Sequence, residues 1–131
     1  MTIDDSVNPG KKLLIVEDEP RISRLYGITF KKYNLILAED GSRAVEEIAR
    51  GKFDAIVSDV GLPGKNGWEV YQAAVAKDPS YASKFIFCFS PGIEPVYSEV
   101  LKSGVPCVMK ASTDMLGTLK KSVENILNGN R

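Results

Sequence analysis

An α/β domain built on one doubly wound parallel sheet is the fold this sequence predicts, and three observations carry it. Short apolar runs rich in branched residues alternate five times with segments of helical spacing. The runs end near positions 17, 38, 59, 90 and 109, about twenty residues apart with one longer step, as consecutive right-handed βα units require. Two of the runs, Leu13-Leu14-Ile15-Val16 and Ala55-Ile56-Val57, are apolar on successive residues, which suits parallel strands covered on both faces.

The expected strands are Lys12–Val16, Leu35–Ala38, Asp54–Ser58, Phe85–Phe89 and Val105–Met109. Pro20 sits where a first helical turn tolerates proline, and Ile22, Leu25, Ile28 and Thr29 follow at three- and four-residue steps, giving helix one. Asp40-Gly41-Ser42 caps a second helix running through Ile48 to Gly51. Asn66-Gly67 opens a third, with Val70, Ala73 and Ala74 inward. A fourth is expected from about Pro95 to Lys102, ending at Gly104. The last, Ser112 to about Leu127, carries the stripe Leu116, Leu119, Val123, Ile126 and Leu127. Five strands cannot close a (βα)₈ barrel, so the expected architecture is flavodoxin-like (βα)5, a five-stranded parallel sheet in the order 2-1-3-4-5. Residues 1–10 are expected to be a disordered tail and residues 11–128 the domain.

The 131 residues include 44% hydrophobic and 26% charged residues, ordinary for one globular domain. Folding at this length buries roughly two thirds of the unfolded surface, so no disulfide or structural metal is needed. Seventeen basic and seventeen acidic residues leave no overall basic field, which argues against direct nucleic-acid binding. Cys88 and Cys107 form no Cys-x-x-Cys pair and the chain has no histidine, which argues against a zinc site, and buried, reduced thiols are expected. No apolar run approaches a membrane span and Met1 to Lys12 has no signal-peptide core, so a cytoplasmic protein without membrane attachment is expected.

In such a sheet, ligands bind beyond the carboxyl ends of the strands, where the order reverses between strands one and three. Strand one ends in Glu17-Asp18-Glu19, strand three in Asp59, strand four in Ser90 and strand five in Lys110. Each alone has a bland reading: an acidic turn is often a solvated helix N-terminus, a serine after a strand a cap, a terminal lysine a solvated charge. Their joint placement on one edge favours a site. Carboxylates crowded there repel unless a cation neutralises them, and an all-oxygen cluster suits a hard ion. Magnesium, or manganese in its place, accepts a few carboxylates and retains positions for phosphate oxygens. Asp59 could then act as a nucleophile toward phosphorus, with the cation, Lys110 and Ser90 stabilising charge on the equatorial oxygens.

Leu13–Pro20 (LLIVEDEP), Asp54–Gly67 (DAIVSDVGLPGKNG), Ser90 and Lys110 together resemble bacterial response-regulator receiver domains over about Lys11 to Leu127. The resemblance implies a two-component signalling domain rather than an enzyme in the usual sense, catalysing only its own phosphorylation and dephosphorylation. It makes Asp59 the phosphoacceptor, Asp18, Asp59 and the Gly61 carbonyl direct metal ligands, Glu17 a ligand through water, and Lys110 and Ser90 the groups that meet the phosphoryl oxygens. It also implies a histidine kinase or histidine phosphotransfer protein as donor, and an output partner or a fused output domain. A free single-domain regulator and a piece of a longer protein are both compatible with it.

Three positions depart from the family pattern. Ala111 follows Lys110 where a proline after a cis bond is usual; a cis bond to a non-proline residue costs about 3 kcal/mol, so the Lys110–Ala111 bond is expected to be trans. Cys107 stands where a switching aromatic is common, and Pro91 follows Ser90 where a small residue is common, stiffening that loop. With the ring missing, readout is expected through the Pro91–Pro95 loop, helix four with Tyr97, and strand and helix five. Competing functions fit less well. A flavin carrier would not place EDEP against a phosphate, and a haloacid-dehalogenase-type phosphatase wants a second aspartate where Gly61 stands. A pseudo-receiver, an interaction module without phosphorylation, is the alternative.

Overall fold

A computed structural model describes residues 10–90 and 96–129. Its strands are β1 (Lys12–Val16), β2 (Asn34–Ala38), β3 (Ala55–Asp59), β4 (Phe85–Phe89) and β5 (Cys107–Met109). The helices are α1 (Pro20–Thr29), α2 (Gly41–Arg50), α3 (Gly67–Lys77), α4 (Val96–Lys102) and α5 (Met115–Leu127). All strand pairings are parallel, in the order β2-β1-β3-β4-β5. This is the doubly wound flavodoxin-like sheet expected, with β1 and β3 adjacent at its centre.

Alternation along each strand divides the core into two layers. Leu14, Val16, Ile56, Phe85 and Phe87 face Ile48 of α2, Val70 and Ala74 of α3 and Val100 of α4. Leu13, Ile15, Ala55, Val57, Ile86 and Cys88 face Tyr26 of α1 and Leu119 and Val123 of α5. The two thiols lie on opposite layers: Cys88 belongs to the second and Cys107 packs against the first. Both are free; Cys88 is buried as expected, but Cys107 is only half-buried because β5 is an edge strand.

Local chemistry sets the helix ends. Asp40 caps α2 by accepting the Arg43 N–H at 2.7 Å. Asn66 and Glu69 form a reciprocal capping box on α3, each side chain accepting the other's backbone N–H at 2.9 Å. Lys77 at the end of α3 reaches back to α2, its ammonium donating to the carbonyls of Ile48, of Ala49 at 3.3 Å and of Gly51 at 2.7 Å.

Several boundaries and faces differ from the sequence reading. The inward face of α1 is Ile22, Tyr26 and Phe30, at four-residue steps, whereas Leu25 and Ile28 are 44% and 67% exposed. Val105 and Pro106 precede β5 rather than belong to it, although Pro106 still accepts the Phe87 N–H at 2.9 Å. Helix α5 begins three residues later than Ser112, because Ser112–Asp114 form a turn in which the serine hydroxyl accepts the Asp114 N–H. A 3-10 turn at Pro79–Ser83, unforeseen from sequence, buries Tyr81, whose hydroxyl accepts the Phe53 N–H at 3.0 Å. All of the expected 1–10 tail except Gly10, and the start of helix four at Pro95, lie outside the described residues. Among those residues, no helix is long and apolar enough to cross a membrane.

Candidate functional site

The sheet delivers its polar residues by running out. Side chains at 13 and 15 of β1, 55 and 57 of β3, and 86 and 88 of β4 share the α1–α5 layer, so the next residues of that parity, Glu17 and Asp59, emerge from the same face. Glu17 is 2% exposed and Asp59, the last residue of β3, is 4% exposed. Asp18 is exposed beside them, and one oxygen from each of Glu17, Asp18 and Asp59 can be chosen so that all lie within 4.8 Å of one another. Lys110, directly after β5, is held by its N–H donating to Phe89 O at 2.9 Å. Its ammonium donates to Asp59 Oδ2 at 2.9 Å and Glu17 Oε2 at 3.3 Å, and lies 3.1 Å from Glu17 Oε1.

A hollow of about 290 Å³ opens here, lined by Asp18, Asp59, Gly61, Cys88, Ser90 and Lys110. Ser90 stands exposed at its rim. The structure thus brings together all the residues singled out from sequence: Glu17, Asp18, Asp59, Gly61, Ser90 and Lys110.

Two close approaches fix the backbone around Asp59. Gly67 begins α3 against it: a Cβ at Gly67 would lie 2.0 Å from Asp59 O, and the Gly67 N–H donates to Val60 O at 2.8 Å. The loop carrying Gly61 is braced by the start of α2. There the Gly41 N–H donates to Pro63 O at 3.3 Å, and a Cβ at Gly41 would lie 1.7 Å from Lys65 O.

Burial first, and then the negative Glu17, push the Asp59 carboxyl up to about 8, while Lys110 pulls it the other way. Burial works against the Lys110 ammonium, but Asp59 and Glu17 more than offset it and hold that group above its ordinary value. One cation thus serves two buried carboxylates. Among the described residues, Asp59 Oδ1 is buried without a hydrogen-bond partner, and the buried Glu17 Oε1 has only the Lys110 ammonium, 3.1 Å away. Oxygen atoms left in this condition fit a hard divalent cation, which takes carboxylate ligands and completes its shell with carbonyl oxygen and water.

Sequence reasoning missed two neighbours of the cluster. Cys88 is the register partner of Asp59 and lines the hollow. The Tyr26 hydroxyl, from α1, is buried beside the Cys88 thiol; burial first, and then Cys88, Glu17 and Asp59, drive its pKa upward, so the phenol stays neutral. The Cys88 thiol is pushed up beyond the physiological range, by burial first and Asp59 next. Counting two residues back from Ser90 along β4 would have found Cys88.

A family profile described as "Response regulator receiver domain" matches residues 13–120. The transcriptional regulatory protein TcrA of Mycobacterium tuberculosis is 40% identical over 63 residues, 47% of this chain and 25% of TcrA. The alkaline phosphatase synthesis transcriptional regulatory protein PhoP of Bacillus subtilis is 42% identical over 63 residues, 47% of this chain and 26% of PhoP. The match therefore covers about a quarter of the length of each of those relatives. Among solved structures, a response regulator receiver domain protein from Clostridium thermocellum superposes with a TM-score of 0.78 at 17% identity, over 91% of this chain and 95% of its own. The receiver domain of the sensor histidine kinase PA1611 from Pseudomonas aeruginosa PAO1, described with a magnesium ion coordinated in its active-site cleft, gives 0.77 at 21% identity, over 91% and 98%. At these identities the structural likeness speaks for the fold.

Proposed function

This chain belongs to the response regulator receiver domain family, and from that premise we propose that it takes a phosphoryl group onto Asp59 from a phosphohistidine donor. The observation that carries the reading is the buried pair Asp59 and Glu17 sharing the Lys110 ammonium at the open end of the sheet, with Asp59 Oδ1 left without a hydrogen-bond partner among the described residues.

Asp18, Asp59 and the Gly61 carbonyl would hold a magnesium or manganese ion, with Glu17 acting through water; when bound, the ion neutralises the carboxylates and offsets charge on the phosphoryl oxygens. An Asp59 carboxylate oxygen attacks phosphorus, the phosphorus–nitrogen bond of the donor breaks, and its electron pair remains on the imidazole. Lys110, already 2.9 Å from Asp59, stays beside the new acyl phosphate and pairs with a phosphoryl oxygen. Ser90 donates its hydroxyl to another. The chain contains no histidine, so the donor is a separate group: a histidine kinase, a histidine phosphotransfer protein or a small phosphodonor. Residues 11–128 form the receiving unit, working in the cytoplasm beside such a kinase. Its output goes to a partner or to a domain fused in a longer protein, and nucleic acid is reached only through that partner.

Intact-mass measurement after incubation with magnesium and acetyl phosphate tests the reading. A gain of one phosphoryl group is expected for the native chain and none for Asp59→Asn. A gain that survives Asp59→Asn would refute the assignment.

A further inference from the structure

Strand β2 lies at the edge of the sheet, and among the described residues it pairs with β1 alone. Its hydrogen bonds say which groups face outward. The Asn34 N–H donates to Lys11 O at 2.9 Å, and Ala38 O accepts the Glu17 N–H at 3.0 Å. Even-numbered residues of β2 therefore bond toward β1, and the N–H and C=O groups of Leu35 and Leu37 point away from the sheet.

Natural edges are usually blunted by charge, proline or a bulge. Asn34-Leu35-Ile36-Leu37-Ala38 has neither charge nor proline. Leu37 is 41% exposed beside a hollow of about 300 Å³ bounded on α1 by Ser23, Arg24 and Gly27. Among the described residues, no atom outside its own helix lies within 4 Å of where a Gly27 Cβ would be. The two ends of the strand carry opposite charge: Lys31 and Lys32 precede it, and Glu39 and Asp40 follow it.

We propose that this edge pairs antiparallel with β2 of a second copy of the chain, about a two-fold axis at Ile36, joining two sheets into one. In that register Leu35 faces Leu37 of the second copy, and each such pair exchanges both of its outward main-chain hydrogen bonds. Leu37 is covered by the neighbouring copy, and Lys32 lies opposite Asp40 of that copy, with Lys31 and Glu39 flanking. A parallel arrangement would set lysine beside lysine and carboxylate beside carboxylate, and it would leave an open edge rather than a closed pair. The strand is self-complementary only when reversed. The pairing uses main-chain groups of β2 rather than the Asp59 carboxyl, while the hollow beside Leu37 is also lined by Glu17 and Asp18.

Sedimentation velocity on the full chain, from micromolar to millimolar concentration, tests the proposal. A monomer–dimer equilibrium is expected. Leu37→Pro removes an outward N–H while leaving the β1 ladder intact, so it should abolish the dimer with unchanged circular dichroism; if proline unfolds the chain, Leu37→Lys reads the same edge. Reversing Lys31 and Lys32 to glutamate should weaken association about tenfold, and adding Glu39→Lys should recover part of the loss. Ile36 occupies the non-hydrogen-bonded position on the axis, where Cα atoms are about 4.5 Å apart, within reach of a disulfide. Ile36→Cys with Cys107→Ser should therefore cross-link covalently when diamide oxidises the paired thiols. A chain that stays monomeric at millimolar concentration overturns the proposal. So does a dimer that is indifferent to a folded Leu37 variant and fails to cross-link at position 36. A monomer whose Leu35 and Leu37 amides exchange slowly would give the edge to another segment of the chain and equally overturn it.

Discussion

Ionising Asp59 in the folded chain means charging a nearly buried carboxyl beside Glu17, and that cost has a definite sign. Its pKa rises from the ordinary 3.8 to about 8, so between those values the folded chain holds a proton that the unfolded chain has released. Stability from this group is therefore lost as pH rises through that window in cation-free solution. Asp59→Asn should be more stable than the native chain by about 1–3 kcal/mol at the top of the window, with the difference vanishing toward pH 4. Urea unfolding at several pH values in the presence of a chelator measures it; a difference independent of pH would contradict the burial argument. Asp18 faces solvent, so Asp18→Ala should leave the urea midpoint almost unchanged while weakening magnesium binding at least tenfold by titration, as expected for a proposed direct ligand. Glu17, Asp18, Asp59, Ser90 and Lys110 were legible in sequence because each lies at the end of an apolar run, whereas Gly61 came from the family resemblance alone. Cys88 and Tyr26 were not legible. β4 reads Phe-Ile-Phe-Cys-Phe, apolar on both faces, so only the two-residue step back from Ser90 marks Cys88. Leu25 beside Tyr26 supplied an equally plausible apolar spacing for α1.

Two helix starts hold the loops around Asp59 by contacts that only glycine permits. A methyl group at Gly67 would overlap the Asp59 carbonyl, backbone against backbone, so no side-chain rotation can relieve it. Gly67→Ala should cost about 1–3 kcal/mol or more and displace Asp59, lowering the acetyl phosphate reaction rate together with the urea midpoint. Gly27→Ala is the matched control: it is also helical, with open space around it, and should stabilise the chain by about 0.5–1 kcal/mol. At this scale the sequence was informative about where elements lie and weaker about their limits. Capping chemistry placed α2 and α3 correctly from Asp40 and Asn66 alone. The start of β5 was misjudged because Val105-Pro106 is apolar yet lacks a strand pattern of its own, and α5 because Ser112 uses its hydroxyl to make a turn instead of a cap. The Pro79–Ser83 turn depends on a long-range bond, Tyr81 to Phe53, which no local pattern reveals.

Across the whole molecule, the order of the strands followed from general rules of parallel connection, without any residue that specifies it. What those rules leave out is how one end signals to the rest. Phe89, adjacent to Ser90, packs on Tyr97 of α4 in a tilted ring pair with centroids 4.5 Å apart, and Tyr97 and Cys107 pack against the same layer. Inward movement of Ser90 would disturb that ring pair, so readout is expected at α4 and β5 although position 107 lacks an aromatic; the intervening Pro91–Pro95 lies outside the described residues. Amide exchange with and without beryllofluoride should change across Tyr97–Met109, and changes confined to Glu17, Asp18 and Asp59 would argue against this route. The ammonium of Lys77, seated on the last carbonyls of α2, works against such regional independence elsewhere. Fraying α2 strips Lys77 of its acceptors, and fraying α3 strips α2 of its terminal donor, so neither helix can open alone at low cost. The two should behave as a single foldon: native-state exchange gives their amides one common opening free energy, and Lys77→Met splits it in two.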